Sequence, residues 1–279
     1  MQPESATQEP RRATADDEIS IVVLTHDRVH LLRQCVDNVL LRTSQHTREI
    51  LIWDNASRDG TADYLDSLDD PRIRVIHHAE NIGQNAYALA FRETTCPYMI
   101  ELDDDIIEAP QDWDATLLDA FRRLPKVGFL AANLADNPHD QTSQYMYRRN
   151  AHRYRIVEEE GLRLKLGPTG GGCTITSREL YDRVGGFKQS KKYTWWMEDA
   201  AYIKDIEKLG YHAAYLDELE VVHAGGPYYA APSPEKARYR EDRLRRVARK
   251  NRVKRILLAM PFAARLNMRF GWFEPPPDT

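Results

Sequence analysis

The hydrophobic positions of this chain change period repeatedly, and each change marks an element. Ile19–Thr25 (ISIVVLT) is a continuous apolar, mostly β-branched run, which suits a strand covered on both faces. Over residues 26–41 the apolar positions fall at Val29, Leu32, Cys35, Val36, Val39 and Leu40, a helical spacing. The same reading predicts strands over 49–53, Ile73–His77 and 98–102, with helices over 61–68 and 84–94 between them. Farther on it predicts a helix over 113–124, a strand over 127–132, and a long polar and aromatic loop over 137–150. A hairpin over 155–166 turning near Glu160 and Gly161 follows, then helices over Arg178–Val184 and 198–209 and a strand over 212–216. Gly210 stops the last helix. Strands alternating with helices of this length predict an α/β fold: a Rossmann-like, mostly parallel sheet flanked by helices, joined by right-handed crossovers.

In such a sheet ligands bind beyond the carboxyl ends of the strands, and the polar clusters fall there. Thr25, His26 and Asp27 end the first strand, Asp54 and Asn55 the second, and Asn81, Ile82 and Gly83 follow the third. Asp103, Asp104 and Asp105 end the fourth, with apolar chain resuming at Ile106 and Ile107. Three adjacent carboxylates resist burial unless a cation neutralises them. Hard divalent ions take carboxylate oxygens, and Mg²⁺ binds through one or two of them plus substrate phosphates. A solvated acidic turn would show the same letters, so the cluster gains meaning only from its neighbours along the chain.

Charge and composition then refine the picture. With 279 residues, 42% hydrophobic and 29% charged, the chain can bury a sizeable core. No apolar run reaches the ~18–20 residues that cross a bilayer. Residues 1–18 are polar, contain prolines and have no apolar h-region, which predicts a disordered tail rather than a signal peptide. Cys35, Cys96 and Cys173 lie far apart without metal-ligand spacing, and read as buried reduced thiols of a cytoplasmic protein. The net charge of −4 hides an asymmetry: residues 236–255 hold eleven Lys/Arg against two acids, +9 locally, leaving −13 on the rest. That split predicts a helical basic extension facing something anionic. Beyond it Pro261 should break the helix, with Phe262, Leu266 and Phe270 on one face of a second short one. The segment suits the inner face of an anionic membrane, or packs back on the catalytic domain or on a second copy of the chain.

Taken in order, the T-H-D-R that ends the first strand, WDNASRDGT, ENIGQN, LDDD, the triple glycine 170–172, MED and a late histidine resemble the inverting family 2 glycosyltransferases of the GT-A fold. The match runs from residue 19 to about 223. It implies a nucleotide-sugar-binding half over 19–108, an acceptor-binding half of the same domain over 109–225, and a basic, amphipathic extension over 226–279. It also implies transfer of a sugar, with inversion, from a nucleotide diphosphate donor, UDP-linked by expectation, to a hydroxyl of a carbohydrate or other acceptor. Mn²⁺ or Mg²⁺ would be the cofactor.

By the same resemblance Asp105 and His223 hold the metal, and Asp103 bonds the ribose or the metal's waters. Asp54 meets the N3–H of uracil, with Thr25 and Asn81 lining that pocket and Arg28 reaching the nucleotide. Asp199 is the base that takes the acceptor's proton, and Glu198 binds sugar hydroxyls. An acidic pair opening a helix is also simply favourable with the dipole. Gly171 and Gly172 floor the donor sugar, where absence of a side chain lets backbone approach closely. Trp195 and Trp196 stack on a sugar ring or seal the core. Asp59, Gly60 and Thr61 read as a turn and helix cap. One departure stands out: many relatives carry a basic residue in the helix after the NxG element, where this chain has Ala88, Leu89 and Ala90. That base contact is either missing or taken over by Arg92. Arg148, Arg149, Arg153 and Arg155, interleaved with Tyr145, Tyr147 and Tyr154, would clamp an anionic substrate or belong to a solvated loop.

Two other functions fit these residues less well. A sugar nucleotidyltransferase needs a basic Gly-rich loop directly after the first strand, which T-H-D-R-V-H does not supply. A nucleic-acid-binding module would interleave aromatics with the basic residues for base stacking, and none stands between Arg240 and Arg255.

Overall fold

A strand that is apolar at nearly every position needs cover on both faces, and β1 (Ile19–Thr25) has it. Ile19, Ile21 and Val23 enter one core with Leu32, Cys35, Val36 and Val39 of α1 (Val29–Arg42). Val22 points to the opposite core, among Ala86, Tyr87, Ala90 and Phe91 of α3 (Asn85–Glu93). The period of two along the strand thus feeds two helical layers. These observations come from a computed structural model, which describes residues 15–135, 151–225 and 234–259. The chain divides into two units, Met1–Ala231 and Pro232–Thr279.

In the first unit β2 (Thr47–Asp54), α2 (Thr61–Asp66), β3 (Ile73–His77) and β4 (Tyr98–Asp103) complete a parallel block in the order β3-β2-β1-β4. This is the parallel α/β arrangement the periodicity predicts. The second half is mixed. β5 (Ile106–Glu108), α4 (Trp113–Arg123), β6 (Val127–Leu134), the hairpin β7 (Arg155–Glu159) and β8 (Leu162–Leu166), β9 (Cys173–Ser177), α5 (Arg178–Val184), α6 (Glu198–Lys208) and β10 (His212–His223) follow. The sheet continues β4-β9-β6-β10-β8-β7, and β5 pairs with β10. β9 runs antiparallel to both β4 and β6 and joins the halves into one sheet.

Two strands lie outside the predicted set, β5 and β9, and a third is longer than expected. β10 continues to His223 across a register shift between Leu216 and Glu220. The charges of Asp217 and Glu218 interrupt the apolar pattern there, but Asp217 is paired with Arg163 at 3.1 Å and with Lys165. A bulge lets the strand keep its direction after such an interruption. All three cysteines are buried and unpaired.

The second unit shows α7 (Pro234–Ala259), 26 residues long. Leu244, Val247, Val253 and Ile256 are exposed on it, and Arg245 pairs with Glu241 one turn earlier at 2.6 Å. Ala15–Asp17 of the expected tail form one 3₁₀ turn. The loop over 137–150, with Tyr145, Tyr147, Arg148 and Arg149, lies outside the described residues. So do residues 1–14 and the stripe of Phe262, Leu266 and Phe270 beyond Pro261.

Candidate active site

The carboxyl ends of β2, β1 and β4 align by register. Thr25 lies opposite Asp54, and Leu24 opposite Asp103. Parallel pairing therefore delivers three of the predicted polar clusters to one edge of the sheet, and His77, opposite Asp54, adds a fourth.

The acidic cluster is buried and pulls in three directions. Asp104 turns back into the fold: it accepts the Thr25 hydroxyl at 2.7 Å and pairs with Arg28 at 3.0 Å. Asp105 is held between Arg28 Nη1 at 2.8 Å and His223 Nε2 at 3.0 Å. Asp103, with a third of its side chain exposed, accepts the Tyr87 hydroxyl at 3.3 Å and lies 3.9 Å from His223 Nε2. One ligand atom each from Asp103, Asp105 and His223 fits within 4.8 Å of the others. Two carboxylate oxygens and an imidazole nitrogen at that spacing are a donor set that suits a divalent cation such as Mn²⁺. His223 reaches the site because β10 pairs with β5, which places His223 opposite Ile106, and because the Ala224 N–H donates to the Asp105 carbonyl.

Electrostatics follow from burial and from these partners. Burial raises the Asp104 carboxyl to about 7 against the pull of Arg28, with Asp105 adding to the rise. Burial also raises Asp103, helped by Asp105 and opposed by His223 and Arg28. At Asp105 burial acts in the same sense but loses to His223 and Arg28, so this carboxylate stays below its ordinary value. The member flanked by both Arg28 and His223 is the one whose ionised form is favoured.

At the end of β2, Asp54 is only 3% exposed and its carboxylate is already engaged. One oxygen accepts the Ser57 N–H at 2.9 Å and the other meets His77 Nδ1 at 2.9 Å. His77 Nε2 reaches Asp66 at 3.2 Å, and the Asp54 bond leads in raising the imidazole pKa. Asn55 ties in the NxG turn: its amide donates to Asn81 Oδ1 at 3.0 Å and to the Gly83 carbonyl at 3.2 Å, and it accepts the Ile82 N–H at 3.0 Å. Asp59 has a structural job, accepting the Thr61 N–H and hydroxyl and the Val29 N–H. In α3, Ala88 and Ala90 are buried and Arg92 is exposed.

The triple glycine crosses between the acidic cluster and α6. A side chain at Gly172 would touch Asp103 Oδ2 at 3.2 Å, and one at Gly170 would meet Asp199 Oδ2 at 3.8 Å. Two residues of chain span at most about 7 Å, so Asp103 and Asp199 flank one short backbone strip. A Cβ on Gly171 would fall 2.0 Å from Glu101 Oε1, so any side chain there would have to displace the Glu101 carboxyl. Glu101 is 2% exposed and was not among the predicted site residues. Its signal was available: it stands two positions before Asp103 in a strand and so shares its face. Burial raises the Glu101 carboxyl well above the ordinary range, with Glu198 and Asp199 adding to it. Glu198 is buried and likewise raised, by burial and then by Asp199. Asp199 is raised by burial to about 6, partly offset by the Ala200 N–H. Trp195 and Trp196, both half-buried, precede this pair. Tyr154 donates to the Pro168 carbonyl at 2.7 Å, while Arg153 and Arg155 are exposed.

Comparisons with known proteins bear on this geometry. The sequence profile described as Glycosyl transferase family 2 matches residues 20–185, more than half of the chain. The chain is 25% identical over 221 residues to "Uncharacterized protein y4gI" of Sinorhizobium fredii, with 74% of the chain covered but only 24% of that protein's length. It is 24% identical over 241 residues to the N-acetylglucosaminyl-diphospho-decaprenol L-rhamnosyltransferase of Mycobacterium tuberculosis, covering 74% of the chain and 76% of that protein. Among solved structures, the mannosyltransferase PcManGT from Pyrobaculum calidifontis, in complex with GDP-Man and Mn²⁺, superposes with a TM-score of 0.52. It is 22% identical and covers 82% of this chain and 60% of that one. GalNAc-T7 with UDP, GalNAc and Mn²⁺ gives 0.57 at 16% identity, covering 74% of this chain and 43% of its own. These likenesses establish the GT-A fold.

Proposed function

The chain belongs to glycosyl transferase family 2, and from that premise we propose that it transfers a sugar, with inversion, from a UDP-sugar to an acceptor hydroxyl. The observation that carries the reading is the pairing of a cation-sized donor set, Asp103, Asp105 and His223, with a carboxylate, Asp199, across the triple glycine. The three donor atoms would hold Mn²⁺ or Mg²⁺, which when bound neutralises charge developing on the departing diphosphate. Arg28, next to Asp104 and Asp105, adds a second positive charge on the same side. Asp54, Asn55 and Asn81 form the base end, and Gly171 and Gly172 let the donor lie against backbone.

The chemistry is one displacement. Asp199 accepts the proton of the acceptor hydroxyl as that oxygen bonds to the anomeric carbon. The bond from that carbon to the diphosphate breaks, and its electron pair leaves with the nucleotide. Glu198, whose protonated form burial favours, serves as a hydrogen-bond partner to a sugar or acceptor oxygen.

A panel of nucleotide sugars assayed for donor hydrolysis, with Mn²⁺, with Mg²⁺ and with chelator, tests the reading. The expected result is turnover of a UDP-sugar that stops on chelation. Turnover of GDP-linked donors alone would remove the uracil assignment of Asp54, and metal-independent turnover would remove the metal site. Turnover of dTDP-linked donors alone would replace UDP but keep the N3–H contact that thymine shares with uracil.

The acceptor is proposed to be presented at a membrane surface. The mycobacterial relative is named for a diphospho-decaprenol acceptor, and α7 lies within a segment of strong positive charge. Each Lys or Arg near anionic headgroups contributes about 1 kcal/mol. Flotation with vesicles containing acidic phospholipid should show binding at low salt that is lost at high salt. Absence of binding at low salt would leave α7 to pack on protein and would count against a lipid-linked acceptor.

A further inference from the structure

Asn85 opens α3 and is buried. All of its side-chain hydrogen-bonding capacity goes to a single loop, residues 188–197, which leads into Glu198 and Asp199. Its amide nitrogen donates to the carbonyls of Ser190 at 3.1 Å and Tyr193 at 3.2 Å. Its oxygen accepts the Ser190 N–H at 2.6 Å and the indole N–H of Trp196 at 3.2 Å. An asparagine has two donors and two acceptor lone pairs, so the group is saturated. Only an amide meets this demand: Asp would offer acceptors alone, and an apolar residue would leave four loop groups unpaired.

The same loop is also seated on the NxG turn. The Gln84 N–H donates to the Thr194 carbonyl at 2.9 Å. Gly83, with φ of +59°, lies so close that a Cβ there would be 1.9 Å from that carbonyl oxygen. The turn is in turn fixed by Asn55, directly after Asp54. Hydrogen bonds and chain continuity together therefore link the base end of the site, through the NxG turn and Asn85, to Trp196, two residues before Glu198.

We propose that Asn85 is a positioning residue for the transfer step: it fixes the loop over 188–197, and through Trp196 sets where Asp199 stands relative to a donor held on the other half. The proposal rests on the assignment of Asp199 as the base. It follows that Asn85 acts on turnover rather than on nucleotide binding, because none of its bonds reaches Asp54, Asp105 or His223.

The test compares Asn85→Ala, Asn85→Asp and Trp196→Phe with the unaltered enzyme. Measured are Mn²⁺-dependent UDP affinity, thermal midpoint, and kcat and KM for transfer. A misplaced catalytic group costs up to about 10²-fold. Asn85→Ala should lower kcat by roughly that factor, with UDP affinity held within about three-fold. Trp196→Phe, which removes one N–H and keeps a ring, should lower kcat less. In the double variant the losses should be sub-additive, as expected for groups that act through one bond. Asn85→Asp keeps the acceptors for Ser190 and Trp196 but sets a carboxylate oxygen against the Ser190 and Tyr193 carbonyls, so it should lower kcat at least as far as Asn85→Ala. Should Asn85→Ala fail to fold, Trp196→Phe and Asn85→Asp give the same reading. Unchanged kcat in the folded variants, or equal losses of UDP affinity and kcat, would overturn the proposal. Absence of sugar transfer by the unaltered enzyme would instead strike at the proposed function.

Discussion

Asp105→Ala should reduce Mn²⁺-dependent UDP binding to the level seen with chelator and leave transfer at or near background. The expected loss in turnover is on the order of 10²–10³-fold or more, corresponding to several kcal/mol of charge stabilisation at the leaving diphosphate. Asp105 is the carboxylate of the cluster whose ionised form His223 and Arg28 favour, which suits it to bind a cation. Removing it also leaves the half-buried Arg28 guanidinium without one of its two carboxylate partners, which costs stability. Asp105→Asn, which keeps the shape, separates the effects. Calorimetric titration of UDP with and without Mn²⁺, alongside a thermal midpoint, is the measurement. Metal-dependent affinity that survives in a folded Asp105 variant would sink the metal assignment.

Much of this site was legible because parallel sheets turn sequence order into spatial order. Once Ile19–Thr25, residues 49–53 and 98–102 read as neighbouring parallel strands, the ends carrying Thr25, Asp54 and Asp103 had to meet at one edge. Side-chain direction was less legible. Thr25 was expected in the base pocket, yet its hydroxyl is spent on Asp104. The middle carboxylate proves to be a buried tie between β1 and β4 rather than a face of the site. Arg28, expected to reach the nucleotide, bridges two members of the cluster.

What the sequence hid was mostly non-local. β9 follows three glycines and runs antiparallel between β4 and β6, a placement that no local period reports. His77 looked unremarkable until pairing put it opposite Asp54. Asn85 and Ser190 are 105 positions apart, and nothing in either neighbourhood announces the other. The stretch from Leu216 to Glu220 reads as the end of a strand because two acids break the pattern. Only their pairing with Arg163 and Lys165 shows that the strand goes on to deliver His223. Local chemistry was readable wherever topology was regular, and failed where a long-range contact had redefined a residue's surroundings.

The carboxylates at the start of α6 give the second large effect. Asp199→Asn should lower turnover by roughly 10²–10⁴-fold, the usual contribution of a general base, while UDP affinity with Mn²⁺ stays nearly unchanged. The choice between neighbours rests on their surroundings as well as on motif position. Burial and the adjacent Asp199 hold the Glu198 carboxyl well above its ordinary range. That shift favours its protonated form, a hydrogen-bond donor, over the carboxylate that could take a proton. Asp199, raised only to about 6 and stabilised by the Ala200 N–H, is ionised at pH 7 and more basic than an ordinary aspartate. A base works in its deprotonated form, so transfer should be fully present above this value and fall as pH drops through about 6. That limb of the profile should disappear in the residual activity of Asp199→Asn. Glu198→Gln keeps a hydrogen-bond donor in place and should lose far less turnover than Asp199→Asn. The reverse order, with Glu198→Gln inactive and Asp199→Asn active, would exchange the two roles.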